Sequence, residues 1–339
     1  MRILIIGGTK FIGPYVVQAL HEKSHEVILF NRGKTIHPFP FQVTSIQGDR
    51  ANLISFKEKL LSLRPDAVID MFPYSEHDAR QLANTFHGLV QRIVIVSSCD
   101  VYRAYDRLWN VFTDKLIETP LDEKSDLREN FFPYRKILGS QPEDWTYHYE
   151  KILVENTILS YPDINSTILR LPMVYGPGDY SRIYPYLKRM DDNRPILLDE
   201  NKANWRFSRG YVEDIASAIA SSALDSQCGN KKYNVGEKDA FSEIEWIQKI
   251  GRAAGWRNEI IKVSFDKLPP HLKEPLLAWE QDLTINTHRI RHELHYKELY
   301  SFEDSMQKTI NWLRSHKPIQ IDNNLFDYGA EDSALKLIS

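Results

Sequence analysis

The chain has 339 residues, 42% hydrophobic and 26% charged, enough for one large domain or two smaller ones. A net charge of −3 and a pI near 6.4 leave no basic stripe for nucleic acid, and no apolar run is long enough to span a membrane. Two cysteines, Cys99 and Cys228, make no disulfide framework, and no Cys/His spacing suggests zinc, so no metal is expected. Met1 leads straight into an apolar strand without a leader, and the expected location is the reducing cytoplasm.

In chain order, residues 2–6 read as a buried strand. Gly7-Gly8-Thr9-Lys10-Phe11-Ile12-Gly13 follows, then an amphipathic helix over Tyr15–Lys23 and a second strand over Glu26–Phe30. A glycine turn between strand and helix lets the backbone approach a pyrophosphate, which sits among free N–H groups at the helix start. Lys10 stands where a middle glycine is usual; it either reaches a phosphate or points to solvent. The second strand runs out into Asn31-Arg32-Gly33-Lys34 with no acidic residue to bond an adenosine ribose, which favours NADP over NAD.

Residues 43–48 read as a third strand ending at Asp49-Arg50. A helix is expected over Leu53–Leu63, a fourth strand over Asp66–Asp70, and Met71-Phe72-Pro73-Tyr74 forms the exit loop beside the cofactor. A helix from Glu76 to Leu89 leads to the apolar run Arg92–Val96. This alternation predicts a doubly wound parallel sheet, a Rossmann-type α/β fold. Ser98 then stands at a strand's carboxyl end, where ligands bind in such sheets. Tyr147 and Lys151 are four residues apart, one turn if helical, and an ammonium beside a phenol favours the phenolate. Such a pair also occurs as plain decoration of a solvated helix face.

Together these pieces resemble the extended short-chain dehydrogenase/reductases of the NAD(P)-dependent epimerase/dehydratase type. The matching segments are the glycine turn, Gly48-Asp49-Arg50, Ser97-Ser98-x-x-Val101-Tyr102, Tyr147-x-x-x-Lys151, Leu169–Asp179, Val212–Ala216 and Tyr233-Asn234-Val235-Gly236. The resemblance implies that Gly7, Thr9, Phe11, Ile12 and Gly13 line the pyrophosphate and that Asp49 meets the adenine. It implies that Ser98 bonds the substrate oxygen and that Tyr147 moves the proton. Lys151 would bind the nicotinamide ribose and tune Tyr147, and backbone from Pro172 to Val174 would hold the nicotinamide amide. Asn31, Arg32, Arg50, Met71 and Phe72 complete the expected cofactor contacts, with Lys10. Asp100 matches the second member of the acidic pair found in the family's sugar dehydratases. Cys99 replaces the first, and a thiol is a poor general acid, so a 4,6-dehydratase is disfavoured. Asp100 then acts as a base, binds substrate, or caps a local turn.

Residues 103–146 form an unusually long interval of aromatics, prolines and charges, expected as a lid or substrate wall; Arg135 and Lys136 meet an anionic substrate or stay solvated. Arg206 and Arg209 either take a phosphate or make ordinary ion pairs. The proline-broken stretch Leu268–Pro275 is expected over the substrate. The expected domains are 1–172 with 205–235 for the dinucleotide, 173–204 with 236–315 as a smaller α+β substrate domain, and a tail over 316–339, disordered or at a homodimer interface. The expected function is an NAD(P)-dependent epimerase or oxidoreductase acting on a carbonyl or secondary alcohol of a sugar or nucleotide sugar. The alternatives are a net NADPH-linked reductase and, since fold does not fix function, a non-catalytic regulatory or RNA-associated protein.

Overall fold

The computed structural model describes residues 1–338 apart from 36, 114, 226–228, 276 and 319–321; Cys228 lies outside the described residues. The first half alternates β1 (Arg2–Ile6), α1 (Ile12–Glu22), β2 (Glu26–Asn31), β3 (Thr44–Gln47), α2 (Lys57–Ser62), β4 (Ala67–Asp70), α3 (Glu76–Phe86) and β5 (Arg92–Ser98). Two short helices, α4 (Arg103–Leu108) and α5 (Pro133–Ile137), precede α6 (Lys151–Leu159), β6 (Ser166–Leu171) and β7 (Met173–Tyr175). Then come α7 (Tyr184–Asp191), β8 (Ile196–Asp199), β9 (Arg206–Phe207), β10 (Arg209–Tyr211), α8 (Val212–Leu224) and β11 (Lys231–Asn234). The chain closes with β12 (Phe241–Ser242), α9 (Glu243–Ala254), β13 (Ile260–Val263), α10 (His288–Glu293), α11 (Phe302–Ser315) and α12 (Tyr328–Ile338).

Seven strands form one parallel sheet in the order β11-β6-β5-β4-β1-β2-β3. Both faces are covered, which explains the unbroken apolar runs. Successive side chains of β1 point to opposite faces. Ile3 and Ile5 join the core made by Val16, Val17 and Leu20 of α1 and Ile215 and Ile219 of α8. Leu4 and Ile6 join Leu82 and Phe86 of α3 and Val154 and Ile158 of α6. Strand order reverses between β1 and β4, which places a crevice at their carboxyl ends.

Two expectations change, one helix and the tail. The helix over 53–63 is split: Asp49 caps a 3₁₀ turn over Arg50–Phe56 by accepting the Ala51 N–H at 3.0 Å, and Asn52 is non-helical, so α2 starts only at Lys57. The tail is not a loose end: α12 packs on the smaller C-terminal lobe, where the Glu331 carboxylate takes Arg189 at 2.7 Å and His271 at 3.1 Å. Leu268, from the proline-broken stretch, packs with Leu197, Val263 and Ala334 of α12, so that stretch supports the tail.

Candidate functional site

Gly7 and Gly8 both hold positive φ, +101° and +90°, values that side chains rarely adopt. A Cβ on Gly13 would lie 2.5 Å from the Gly8 backbone, so α1 starts tight against the end of β1. A Cβ on Gly7 would meet Phe72 and Met71 at 3.0 and 3.3 Å; the exit loop of β4 therefore flanks the glycine turn. This cradle fits a dinucleotide pyrophosphate, with Thr9, Phe11, Ile12 and exposed Lys10 around it. Pro172 and buried Val174 follow at the end of β6 and in β7, which pairs with β10.

Two expected cofactor residues are engaged by their neighbours. Arg50 forks onto Asp70 at 2.8 and 2.7 Å, reaches Asp78 at 3.1 Å and bonds the Phe72 carbonyl. It clamps the exit loop rather than projecting a free guanidinium. Asp49 spends one oxygen on its cap. At the end of β2, Asn31 accepts the Gly33 N–H at 2.8 Å, while Arg32 and Lys34 are exposed.

Ser98 ends β5, and its hydroxyl accepts the Asp100 N–H at 3.2 Å, so Ser98 caps the turn and the Asp100 side chain is released for other partners. Asp100 Oδ2 accepts two phenols, Tyr149 at 2.8 Å and Tyr134 at 3.1 Å. Its Oδ1 has no hydrogen-bond partner among the described residues, although the residue is only 6% exposed. Burial first, and the Asp100 carboxylate next, push both phenols well above their ordinary range. Ser98 exerts a smaller, opposing downward pull on the Tyr149 phenol. Cys99 is a buried thiol pushed upward by burial and donates to the Arg170 carbonyl at 3.5 Å, an inert setting.

The one-turn relation expected for Tyr147 and Lys151 is not present. Tyr147 lies in a 3₁₀ turn, Trp145–His148, and α6 begins only at Lys151, with Glu150 as its cap accepting the Ile152 N–H at 2.9 Å. The Tyr147 ring stacks on the Arg135 guanidinium at 4.2 Å. Lys151 is buried and donates to the Pro73 and Val96 carbonyls, both at 2.9 Å. Its ammonium faces the Tyr149 and Tyr74 rings, 5.6 and 5.3 Å from their centroids. Burial pulls it down to about 8, against the opposing pull of Asp100. Tyr149 and Tyr134 were not singled out from sequence. A buried Tyr two residues before Lys151 carries no helical-spacing signal, and Tyr134 arrives from a distant segment.

The described residues of that segment are tied to the site. Arg128 pairs with Glu150 at 3.1 Å, both buried, and also bonds the Asp100 carbonyl. The Phe132 N–H donates to the other Glu150 oxygen at 2.8 Å. Arg107 pairs with Glu280 at 2.7 Å. The described residues of 103–149 are thus pinned by the buried Arg128–Glu150 pair and by Arg107 on Glu280. Arg135 packs between Phe132 and Tyr147, and Lys136 is exposed.

The profile of the NAD dependent epimerase/dehydratase family matches residues 3–236. The chain belongs to this family. It is 23% identical to the chloroplast stem-loop binding protein of 41 kDa b of Arabidopsis thaliana, over 91% of this chain and 78% of that one. It is 22% identical to a UDP-N-acetyl-alpha-D-glucosaminuronate decarboxylase of Bacillus cytotoxicus, over 92% and 98%. The fold superposes on the NAD complex of UDP-glucose 4-epimerase from Thermus thermophilus with a TM-score of 0.66 and 18% identity, covering 93% and 99% of the two chains.

Of the two arginines considered for a phosphate, Arg209 is buried against Glu243 at 2.6 Å, whereas exposed Arg206 donates to the Ala240 carbonyl. A cavity of about 520 Å³ in this lobe has Asp199, Glu200, Glu280 and Asp282 on its walls, with Phe265 and Trp279. Among the described residues, no helix is long and apolar enough to cross a membrane.

Proposed function

We propose that the protein is an NAD(P)-dependent oxidoreductase of the epimerase type, interconverting a secondary alcohol and a carbonyl on a sugar or nucleotide sugar. One observation carries the reading: Lys151 is bonded to the carbonyl of Pro73, in the same exit loop that packs on Gly7. The cation meant for a nicotinamide ribose and the cradle meant for a pyrophosphate thus share one loop. Bound nicotinamide supplies the hydride acceptor and donor. Lys151 holds the ribose, Ser98 bonds the substrate oxygen, and a phenol near both handles the proton.

The test is to purify the protein, denature it and identify released nucleotide by mass spectrometry. Retained NAD supports an internal cycle in which the substrate recovers what it gave. No nucleotide retained, with tight and reversible NADPH binding, supports net reduction. Binding of neither would sink the enzyme reading.

Net NADPH-linked reduction is the second reading, and one observation favours it. Exposed Arg32 and Lys34 at the end of β2 suit a 2′-phosphate. Arg32→Asp is expected to weaken NADPH binding at least tenfold and leave NADH binding within a few-fold, read by fluorescence titration.

A further inference from the structure

We propose that Tyr149 and Asp100, rather than Tyr147, carry the proton: the Tyr149 phenol meets the substrate oxygen and relays its proton to and from Asp100 Oδ2. The proposal rests on the oxidoreductase reading above and assigns the group that reading leaves open. Tyr149 is the phenol that faces the Lys151 ammonium and donates to the Asp100 carboxylate, whose own N–H is held by Ser98. Tyr147 instead spends its ring on Arg135, whose Nε donates to the Tyr147 carbonyl at 2.8 Å.

The chemistry closes without a lone phenolate. In alcohol oxidation the substrate O–H bond breaks as one forms at Tyr149 Oη. The phenol's own O–H breaks as one forms at Asp100 Oδ2. The electron pair leaving carbon, with its hydrogen, is accepted by the oxidised nicotinamide. Tyr149 ends neutral and Asp100 ends as the acid; reduction runs the same transfers in reverse. A phenolate left 2.8 Å from a carboxylate would place two negative charges together, and burial would add to the cost. Passing the proton on removes that cost, and the high proton affinity of the Tyr149 phenol becomes an asset. Asp100 is prepared for the task. Tyr134 donates to the same oxygen and fixes the carboxylate's orientation, and Oδ1 carries no competing bond. The charged groups facing it are Arg128, bonded to its own carbonyl and to Glu150, and Lys151 across the Tyr149 ring. Tyr149 is thus the catalytic residue, and Asp100 acts through it.

The experiment uses full-length protein with NADP⁺ and tyrosine labelled with ¹³C at Cζ; Tyr134→Phe, Tyr147→Phe and Tyr149→Phe assign the resonances. Asp100→Asn should shift Tyr134 and Tyr149 and bring the Tyr149 titration to lower pH, leaving Tyr147 in place. With UDP-glucose plus NADP⁺ and 2,3-butanedione plus NADPH as probes, Tyr149→Phe and Asp100→Asn should lower kcat by about 10²–10⁴-fold with little change in KM. Asp100→Glu should recover part of the rate, and Tyr147→Phe should stay close to wild type. A Tyr149 titration unmoved by Asp100→Asn overturns the relay even if neither probe is turned over. So does loss of turnover in Tyr147→Phe with retention in Tyr149→Phe. Wild-type protein that binds neither NAD nor NADP would instead sink the oxidoreductase reading, and the relay with it.

Discussion

Glu237 is a partly buried carboxylate whose Oε1 accepts the Tyr175 phenol at 2.6 Å, while Oε2 has no hydrogen-bond partner among the described residues. Burial raises it to about 7 from 4.5, against the downward pull of the Tyr175 phenol and Arg209. The folded state therefore keeps a proton that the unfolded chain releases. Its contribution is full below pH 4.5 and is lost as pH rises through 7. Glu237→Gln should raise stability at pH 8 by about 2 kcal/mol and make little difference at pH 5, read by urea unfolding at both values. Gly13→Ala makes the opposite kind of change: its methyl has only backbone to move against, and nucleotide binding should fall with stability. The glycines of this turn were legible because their role is local, a backbone path that a side chain blocks. Tyr149 was not. Its importance comes from Asp100, 49 residues earlier, and no spacing rule reports a contact of that separation.

At the scale of elements, the strands and most helices could be read from period and capping. Ser75-x-x-Asp78 and Ser242-x-x-Glu245 are reciprocal caps visible in sequence, and the helices begin where those caps put them. The start of α6 is hidden because its N-cap is a glutamate, a weak start signal. Glu150 serves as a cap because Arg128 neutralises it in the interior, and that arginine comes from the long interval that sequence leaves as a wall without internal order. Arg128→Ala leaves a buried, unpaired carboxylate and should cost about 3–5 kcal/mol, measured by chemical denaturation. Arg170 and Glu155 form a second buried pair, at 2.7 Å, tying β6 to α6; their sequence positions, fifteen apart, gave no hint of it.

Across the whole molecule, the doubly wound sheet was legible from the alternation of buried strands and amphipathic helices, because each βαβ unit is a local decision repeated. The placement of the last 24 residues was not, since their polarity hides one useful carboxylate. Deleting 316–339 should lower Tm by about 5 °C or more, with new dye-binding apolar surface, because it strips Glu331 from buried Arg189 and uncovers Leu197 and Leu268. Glu150 has a further consequence. One carboxylate holds Arg128, the Phe132 amide and the first turn of α6 together. The wall cannot swing away while the helix stays capped, so the two must let go as a single cooperative unit. Amides at 128–132 and 152–154 should then exchange with solvent deuterium at one common rate, and access to the crevice would be all-or-none rather than graded.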